Sequence, residues 1–82
     1  MNLSELRPGE VGTILSVDPA NQGVVRLMVL GLVEGVEIIM GKSAIGGDPL
    51  EVSVFGTAIS VRREQASRIE VSCDSAGEIT SE

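Results

Sequence analysis

The sequence predicts a mostly-β domain, a small five-stranded barrel with one short α-helix between the first and second strands. Three observations support this fold class. Val and Ile, which favour strands, recur along the chain in short runs of alternating apolar and polar residues. Ten Gly and three Pro residues separate these runs, a pattern typical of small barrels and sandwiches. The length of 82 residues suits one domain with a small core.

Five segments have the pattern of strands: residues 10–17, 36–40, 50–54, 57–61 and 68–73. In the first strand, Val11, Thr13, Leu15 and Val17 fall on one face. Residues 55–58 form a tight reversal that should pair the third and fourth strands as a hairpin. The predicted inward-facing residues of the other strands are Val36, Ile38, Met40, Leu50, Val52, Val54, Ile59, Val61, Ile69, Val71 and Cys73.

The segment 20–30 has helical rather than alternating spacing. Its core-facing arc consists of Ala20, Val24, Leu27, Met28 and Leu30. Gly23 weakens the first turn, so the regular helix should begin near Gln22, and Gly31 is a natural stop. Placing this helix against one opening of a closed sheet buries the alternating strand faces and hides the sheet edges. The predicted architecture is therefore an SH3-like barrel.

The composition excludes several classes of function. The chain carries 12 acidic and 6 basic residues, a net charge of −6, so it would repel nucleic acids and anionic lipids. Phe55 is the single aromatic residue, which removes the stacking surface that binds single-stranded nucleic acid. There is no His, the usual general base and a common metal ligand. We expect no nucleic-acid partner and no cofactor.

Cysteine usage and the apolar runs bear on the compartment. Cys73 is the single cysteine, so no disulfide can form within the chain, whereas small secreted domains are usually cross-linked. The N-terminal residues lack the apolar run of a signal peptide. The most apolar stretch, residues 27–33, is far shorter than the roughly 20 residues that span a bilayer. We expect a cytoplasmic protein that reaches a membrane only through a partner.

The residues indicate neither catalysis nor a metal site. Met28, Met40 and Cys73 are potential soft ligands, but they fall on predicted inward faces, and no pair of carboxylates accompanies Cys73 in a recognisable spacing. The Gly-Lys-Ser tripeptide at 41–43 resembles the end of a phosphate-binding loop, but Val36 stands where that motif requires Gly. No His or paired carboxylate could activate a serine. We predict no catalytic residue and no dedicated metal site.

One surface of the helix is a candidate for protein contact. Val25, Arg26 and Val29 lie opposite the core-facing arc, and Leu32 and Val33 continue this apolar strip. Exposed apolar strips on small soluble proteins often mark contact surfaces, although scattered exposed valines are also common. On the first interpretation these five residues form a docking face for a partner or a second copy. On the second they are ordinary surface. Nothing in the sequence supports an arginine-finger role for Arg26.

The Arg-Arg-Glu tripeptide at 62–64 is the one basic cluster. It has the composition of a solvated turn in which Arg63 or Arg68 pairs with neighbouring acids. The alternative interpretation is a contact with an acidic partner.

Three segments together resemble the FeoA family: LSELRPGEVGTI (residues 3–14), RLMVLGLVEG (26–35) and GDPLEVSVFGTAISVRREQASRIEV (47–71). Each is weak alone, but their order and spacing are specific. The chain departs from typical members in carrying Glu34 where Pro is usual, and Val25 and Val29 where polar residues are usual. We predict a FeoA-like domain over residues 1–73 and a disordered acidic tail over 74–82.

The resemblance implies a cytoplasmic accessory protein of bacterial ferrous-iron uptake that acts on FeoB, a membrane permease with a cytoplasmic GTPase domain. The leading hypothesis is a non-enzymatic module that docks on a FeoB-type protein and modulates uptake. Two alternatives stay open: a regulator that stimulates GTP hydrolysis by the partner, and a self-associating structural subunit. A GTP hydrolysis assay distinguishes the first alternative, and sedimentation at several concentrations distinguishes the second.

Overall fold

The structure, a computed structural model, describes residues 1–43 and 46–74. Its elements in chain order are a 3-10 turn (Leu3–Glu5), β1 (Val11–Val17), α1 (Gln22–Val29), β2 (Glu37–Ser43), β3 (Leu50–Val54), β4 (Thr57–Val61), α2 (Arg63–Ala66) and β5 (Ile69–Cys73). The mostly-β prediction, with a short helix between the first two strands, is confirmed. Of the predicted tail, residues 75–82 lie outside the described residues. No helix within the described ranges is both long enough and apolar enough to cross a membrane.

The five strands form one antiparallel sheet in the order β4-β3-β2-β1-β5. The first and last strands of the chain, β1 and β5, are therefore neighbours, and β4 and β5 are the two edge strands of the sheet. Phe55 and Gly56 connect β3 to β4 with positive φ values of 52° and 79°. Two such residues in succession make the type I′ turn that suits the twist of a hairpin. The predicted hairpin is confirmed.

The inner face of the sheet and α1 enclose a single apolar core. Its buried members are Leu3, Leu6, Ile14, Val24, Leu27, Leu32, Ile38, Met40, Leu50, Val52, Val54, Ile59, Val61, Ala66, Ile69 and Val71. The alternation predicted for the second to fifth strands is confirmed: in β2, Ile38 and Met40 are buried while Glu37 and Ile39 are exposed. Burial of these aliphatic side chains is the main stabilising contribution to a domain of this size.

The first strand differs from its prediction. Ile14 is buried, whereas Leu15 is 53% exposed, so the face that carries Leu15 does not point into the core. The register of β1 against β5 shifts between Ile14 and Ser16. An irregularity of this kind reverses the facing of the residues that follow it. Val17 therefore packs against the core although Leu15, two residues earlier, does not.

The ends of α1 are defined by local hydrogen bonds. Asn21 caps the first turn through its Oδ1, which accepts from the N–H of Val24 at 3.1 Å. At the other end, the N–H of Gly31 donates to the carbonyl of Met28 and that of Leu32 to the carbonyl of Leu27, both at 3.0 Å. This is a Schellman motif, in which the φ of 117° favours glycine at position 31.

The Schellman motif decides which leucines enter the core. It turns the chain back toward the sheet, so Leu32 is fully buried beside Leu27. Leu30 precedes the reversal and is 54% exposed. The prediction that Leu30 belongs to the core-facing arc is wrong, because helical periodicity no longer applies where the helix ends.

The N-terminal segment covers the β5 edge of the sheet. The carbonyl of Met1 accepts from the N–H of Val71 at 2.9 Å, and Asn2 forms an antiparallel bridge with Glu70. The N-terminal ammonium group lies 3.0 Å from Oε2 of Glu70. Leu3 follows directly and is fully buried. This edge is thereby paired by backbone and anchored by a core side chain.

Candidate functional site

Exposed apolar side chains concentrate at the C-terminal end of α1. Val29 is 82% exposed and Leu30 is 54% exposed. Val25, one turn earlier on the same side of the helix, and Val33, just beyond it, are also exposed. We call these four residues and Phe55 of the β3–β4 turn, five residues in all, the helix-end patch. A concentration of this kind on a small soluble domain is typical of a contact surface.

Phe55 belongs to this patch although it is distant in the chain. Its side chain is 79% exposed, and a methyl group placed on the Cα of Gly31 would lie 3.6 Å from its Cε2 atom. The φ of 52° is adopted more readily by Asn or Asp than by Phe. Neither burial nor backbone geometry therefore favours an aromatic residue here, whereas aromatic residues are enriched in protein interfaces.

Four of the five residues predicted for the docking face lie on the surface: Val25, Arg26, Val29 and Val33. The inclusion of Leu32 is wrong, since its side chain is fully buried in the core. The predicted docking face does not include Leu30 and Phe55, which are also exposed on this surface. A usable signal existed for Phe55, because a lone aromatic residue in a tight turn has no core position to occupy.

A groove of about 610 Å³ separates α1 from β4. Gly23, Arg26, Leu27 and Leu30 line its helical wall, and their spacing places them on one face of the helix. The opposite wall is formed by residues 57–60 of β4. Pro49, Arg62 and Gln65 complete the lining. Because Leu30 belongs both to the groove and to the helix-end patch, the two surfaces are continuous.

The groove carries positive charge in an otherwise acidic chain. Of its eleven lining residues, two are arginines and none is acidic. Arg26 and Arg62 are both exposed. In the described part of the chain, the ion pairs are those of the N-terminus with Glu70 and of Arg68 with Asp18, so neither groove arginine is paired. Their guanidinium groups are available to an acidic ligand.

The two adjacent arginines of the basic tripeptide have different environments. The backbone N–H of Arg63 donates to Oδ1 of Asp48 at 2.9 Å, and its Nε donates to the carbonyl of Gly47 at 3.0 Å. Its Nη1 also lies 3.5 Å from the carbonyl of Ser4. Arg63 is thus an anchor between loops, while Arg62 faces the groove. The pairing of Arg68 agrees with the interpretation of a solvated turn.

The candidate metal ligands are placed with the core. Met40 is buried, and Met28 and Cys73 are half-buried and pack against the core. The Cys73 Sγ lies 3.6 Å from Oε2 of Glu10. Across residues 1–43 and 46–74, no cluster of three or more His, Cys, Asp or Glu residues could hold a metal ion. The absence of a dedicated metal site stays a prediction. Residues 41–43 lie within β2, so they do not form a phosphate-binding loop.

Comparison with known proteins identifies the family. The model of the FeoA domain matches residues 1–73. A fusion of Fe(2+) transport protein A with the Fe(2+) transporter FeoB, from Porphyromonas gingivalis, is 34% identical over 71 residues. That match covers 87% of this chain and 8% of the fusion protein, so the chain spans a small fraction of that relative's length.

The fold is also found in solved structures, of which two are compared with this chain. The FeoA protein of Chlorobium tepidum has a TM-score of 0.80 and 39% identity, with 90% of this chain and 70% of that chain covered. The zinc-complexed FeoA of Stenotrophomonas maltophilia, described as a prokaryotic SH3 domain protein, has a TM-score of 0.76 and 34% identity, with 88% and 89% covered. The predicted SH3-like fold is thereby confirmed, and with a family model that spans residues 1–73, this chain belongs to the FeoA family.

Proposed function

We propose that this chain is a non-enzymatic accessory protein of ferrous-iron uptake, which docks on the cytoplasmic side of a FeoB-type transporter through the helix-end patch. The observation that carries the proposal is the exposure of Val29 and Phe55, at 82% and 79%, at one end of a domain whose other large apolar side chains are mostly buried.

The fusion relative supports this choice of partner. That relative is a fusion protein in which the segment similar to this chain and FeoB belong to one polypeptide. Covalent linkage raises the effective concentration of two domains for each other, which favours a pair that acts in contact. Contact between the two proteins needs a complementary surface, and an apolar patch with a polar rim provides one.

Phe55 and Val29 are expected to contribute most of the binding energy. A few buried aromatic and aliphatic anchors dominate typical interfaces, and the surrounding contacts chiefly exclude water. Arg26, adjacent to Val25 on the helix, belongs to the polar rim and would affect the association rate and its salt dependence more than the final affinity.

The test measures binding of the chain to a detergent-solubilised FeoB-type transporter from the same genome. Val29→Asp combined with Phe55→Asp should weaken binding by about 30-fold or more, since two anchors would be lost. Asp tolerates a positive φ, so the second substitution leaves the turn geometry accessible. Circular dichroism and thermal unfolding confirm that the variant is folded.

The matched control is Leu15→Asp combined with Ile39→Asp. Both residues are exposed apolar side chains, at 53% and 45%, on strands outside the helix-end patch. This variant has the same change in charge and should bind normally. Unchanged binding by the patch variant, or an equal loss in the control, would contradict the assignment of the surface.

The same preparation separates docking from regulation of GTP hydrolysis. The rate of hydrolysis by the transporter is measured with and without the chain at saturating concentration. A docking module leaves the chemical step to the partner, so the Arg26→Gln variant should retain whatever effect the unmodified chain has. A specific loss of stimulation in that variant, with binding preserved, would instead favour a catalytic contribution by Arg26.

A further inference from the structure

The groove between α1 and β4 has the geometry of a site for an extended peptide. We propose that it binds an acidic segment of a partner protein as an additional strand on the open edge of β4. This inference concerns the groove rather than the helix-end patch, and it does not depend on which protein supplies the segment.

The register of the β3–β4 hairpin determines which backbone groups are free. The two-residue turn makes Val54 and Thr57 a closing pair joined by hydrogen bonds, and such pairs alternate with non-bonded pairs along the ladder. Ala58 opposite Ser53, and Ser60 opposite Glu51, fall in the non-bonded positions. The N–H and C=O groups of Ala58 and Ser60 therefore point away from β3, into the groove that both residues line.

The side chains of β4 leave room for another strand. Thr57, Ala58 and Ser60 are exposed and small, and none is charged. Natural sheet edges are commonly protected by Lys, Pro or a bulge, and residues 57–61 contain none of these features. Leu30, which is 54% exposed, offers most of the apolar surface within the groove, while Leu27 and Ile59 are buried at its base. Addition of a strand beside a helix in this way supplies affinity through the main chain and specificity through alternate side chains.

The charges select an acidic occupant. Arg26 stands on the helical wall and Arg62 at the end of β4, with no acidic residue among the lining. An extended segment places alternate side chains on opposite faces. One set would contact Leu30, and carboxylates in the other set could reach the guanidinium groups. The groove therefore fits a segment in which apolar and acidic residues alternate.

A second copy of this chain fits less well. Pairing of two β4 edges would bring the Arg26 and Arg62 of each copy into the same narrow space, and like charges held close together are destabilising. Two chains that each carry a net charge of −6 also repel one another. The carboxylates of a partner segment would instead be attracted to Arg26 and Arg62 at the groove.

The experiment is a nuclear magnetic resonance titration of the isotope-labelled full chain with a capped TVEVEVT peptide, and with TVKVKVT as the matched peptide. We expect the amide signals of Ala58 and Ser60 to shift saturably with the acidic peptide, their hydrogen exchange to slow, and the affinity to fall as salt is added. The lysine peptide should bind much more weakly.

Charge-neutral variants test the arginines. Arg26→Gln with Arg62→Gln should weaken binding of the acidic peptide about fivefold to tenfold, as expected for two partly exposed ion pairs. Arg7→Gln with Lys42→Gln changes the net charge equally at exposed residues outside the groove and should have little effect.

Three results would overturn the proposal. They are equal binding of the two peptides, amide shifts that do not include Ala58 and Ser60, and shifts of those two amides that depend on protein concentration without peptide. The last would show that a second copy occupies the edge. Binding to the FeoB-type transporter is measured separately, so its failure does not affect this test.

Discussion

The two edges of the sheet differ in how the chain treats them. At β5, the N-terminal segment pairs with the strand through the bond from Val71 to Met1, and Leu3 anchors that segment in the core. At β4, the chain provides no such strand among the described residues, and a helix faces the edge across a groove. Within residues 1–43 and 46–74, the N-terminal segment thus pairs with β5 at Glu70 and Val71, whereas no strand pairs with the outer side of β4.

The difference extends to the charged residues near each edge. Arg63 binds to the carbonyls of Gly47 and Ser4, and so connects the 46–49 turn with the N-terminal segment. Its neighbour Arg62 lines the groove without an ion pair to a described carboxylate. Arg63 therefore contacts the segment that pairs with β5, whereas Arg62 lines the groove beside β4. Substitutions at matched positions can show whether the contacts at the β5 edge stabilise the fold while the residues at the β4 edge do not.

The largest expected effect comes from one pair of leucines. Leu3→Ala should lower the free energy of unfolding by about 2–5 kcal/mol, because it removes a fully buried side chain and leaves a cavity. Leu30→Ala, the same substitution beside the open edge, should change it by less than about 0.5 kcal/mol, as is usual for surface positions. Urea unfolding followed by circular dichroism measures both. Similar losses of unfolding free energy in the two variants would contradict the idea that only the residue at the β5 edge stabilises the fold.

A smaller effect is expected from the adjacent arginines. Arg63→Met keeps the apolar stem but removes the side-chain hydrogen bonds to Gly47 and Ser4, so it should destabilise the fold by about 1 kcal/mol. Arg62→Met should leave stability almost unchanged. Thermal unfolding of the two variants at the same pH and salt concentration makes the comparison. Equal stability of Arg62→Met and Arg63→Met would mean that the anchor contributes nothing measurable.

Much of the fold could be predicted from local patterns. Alternation in β2 to β5 identified the inward residues, since a strand with one buried face has a strict period of two. The pattern failed where geometry changes within an element. The register shift between Ile14 and Ser16 reversed the face of β1, and the Schellman motif at Gly31 exchanged the expected environments of Leu30 and Leu32.

The candidate site was predictable only in part, because it combines distant segments. Helical spacing predicts Val25, Arg26 and Val29, and the apolar strip that continues beyond the helix predicts Val33. Phe55 and the β4 edge come from the hairpin, and only the fold brings them next to α1. The different roles of Arg62 and Arg63 likewise depend on contacts with Gly47 and Ser4, which no periodicity reveals.

Amide hydrogen exchange in the free chain tests the contrast between the two edges most directly. Val71 and Ile59 donate hydrogen bonds, to Met1 across the β5 edge and to Val52 within the hairpin, so their exchange should be slow. The outward-facing amides of Ala58 and Ser60 should exchange much faster, although both flank Ile59 in the same strand. Protection of Ala58 and Ser60 equal to that of Ile59 in the dilute free protein would contradict an open β4 edge.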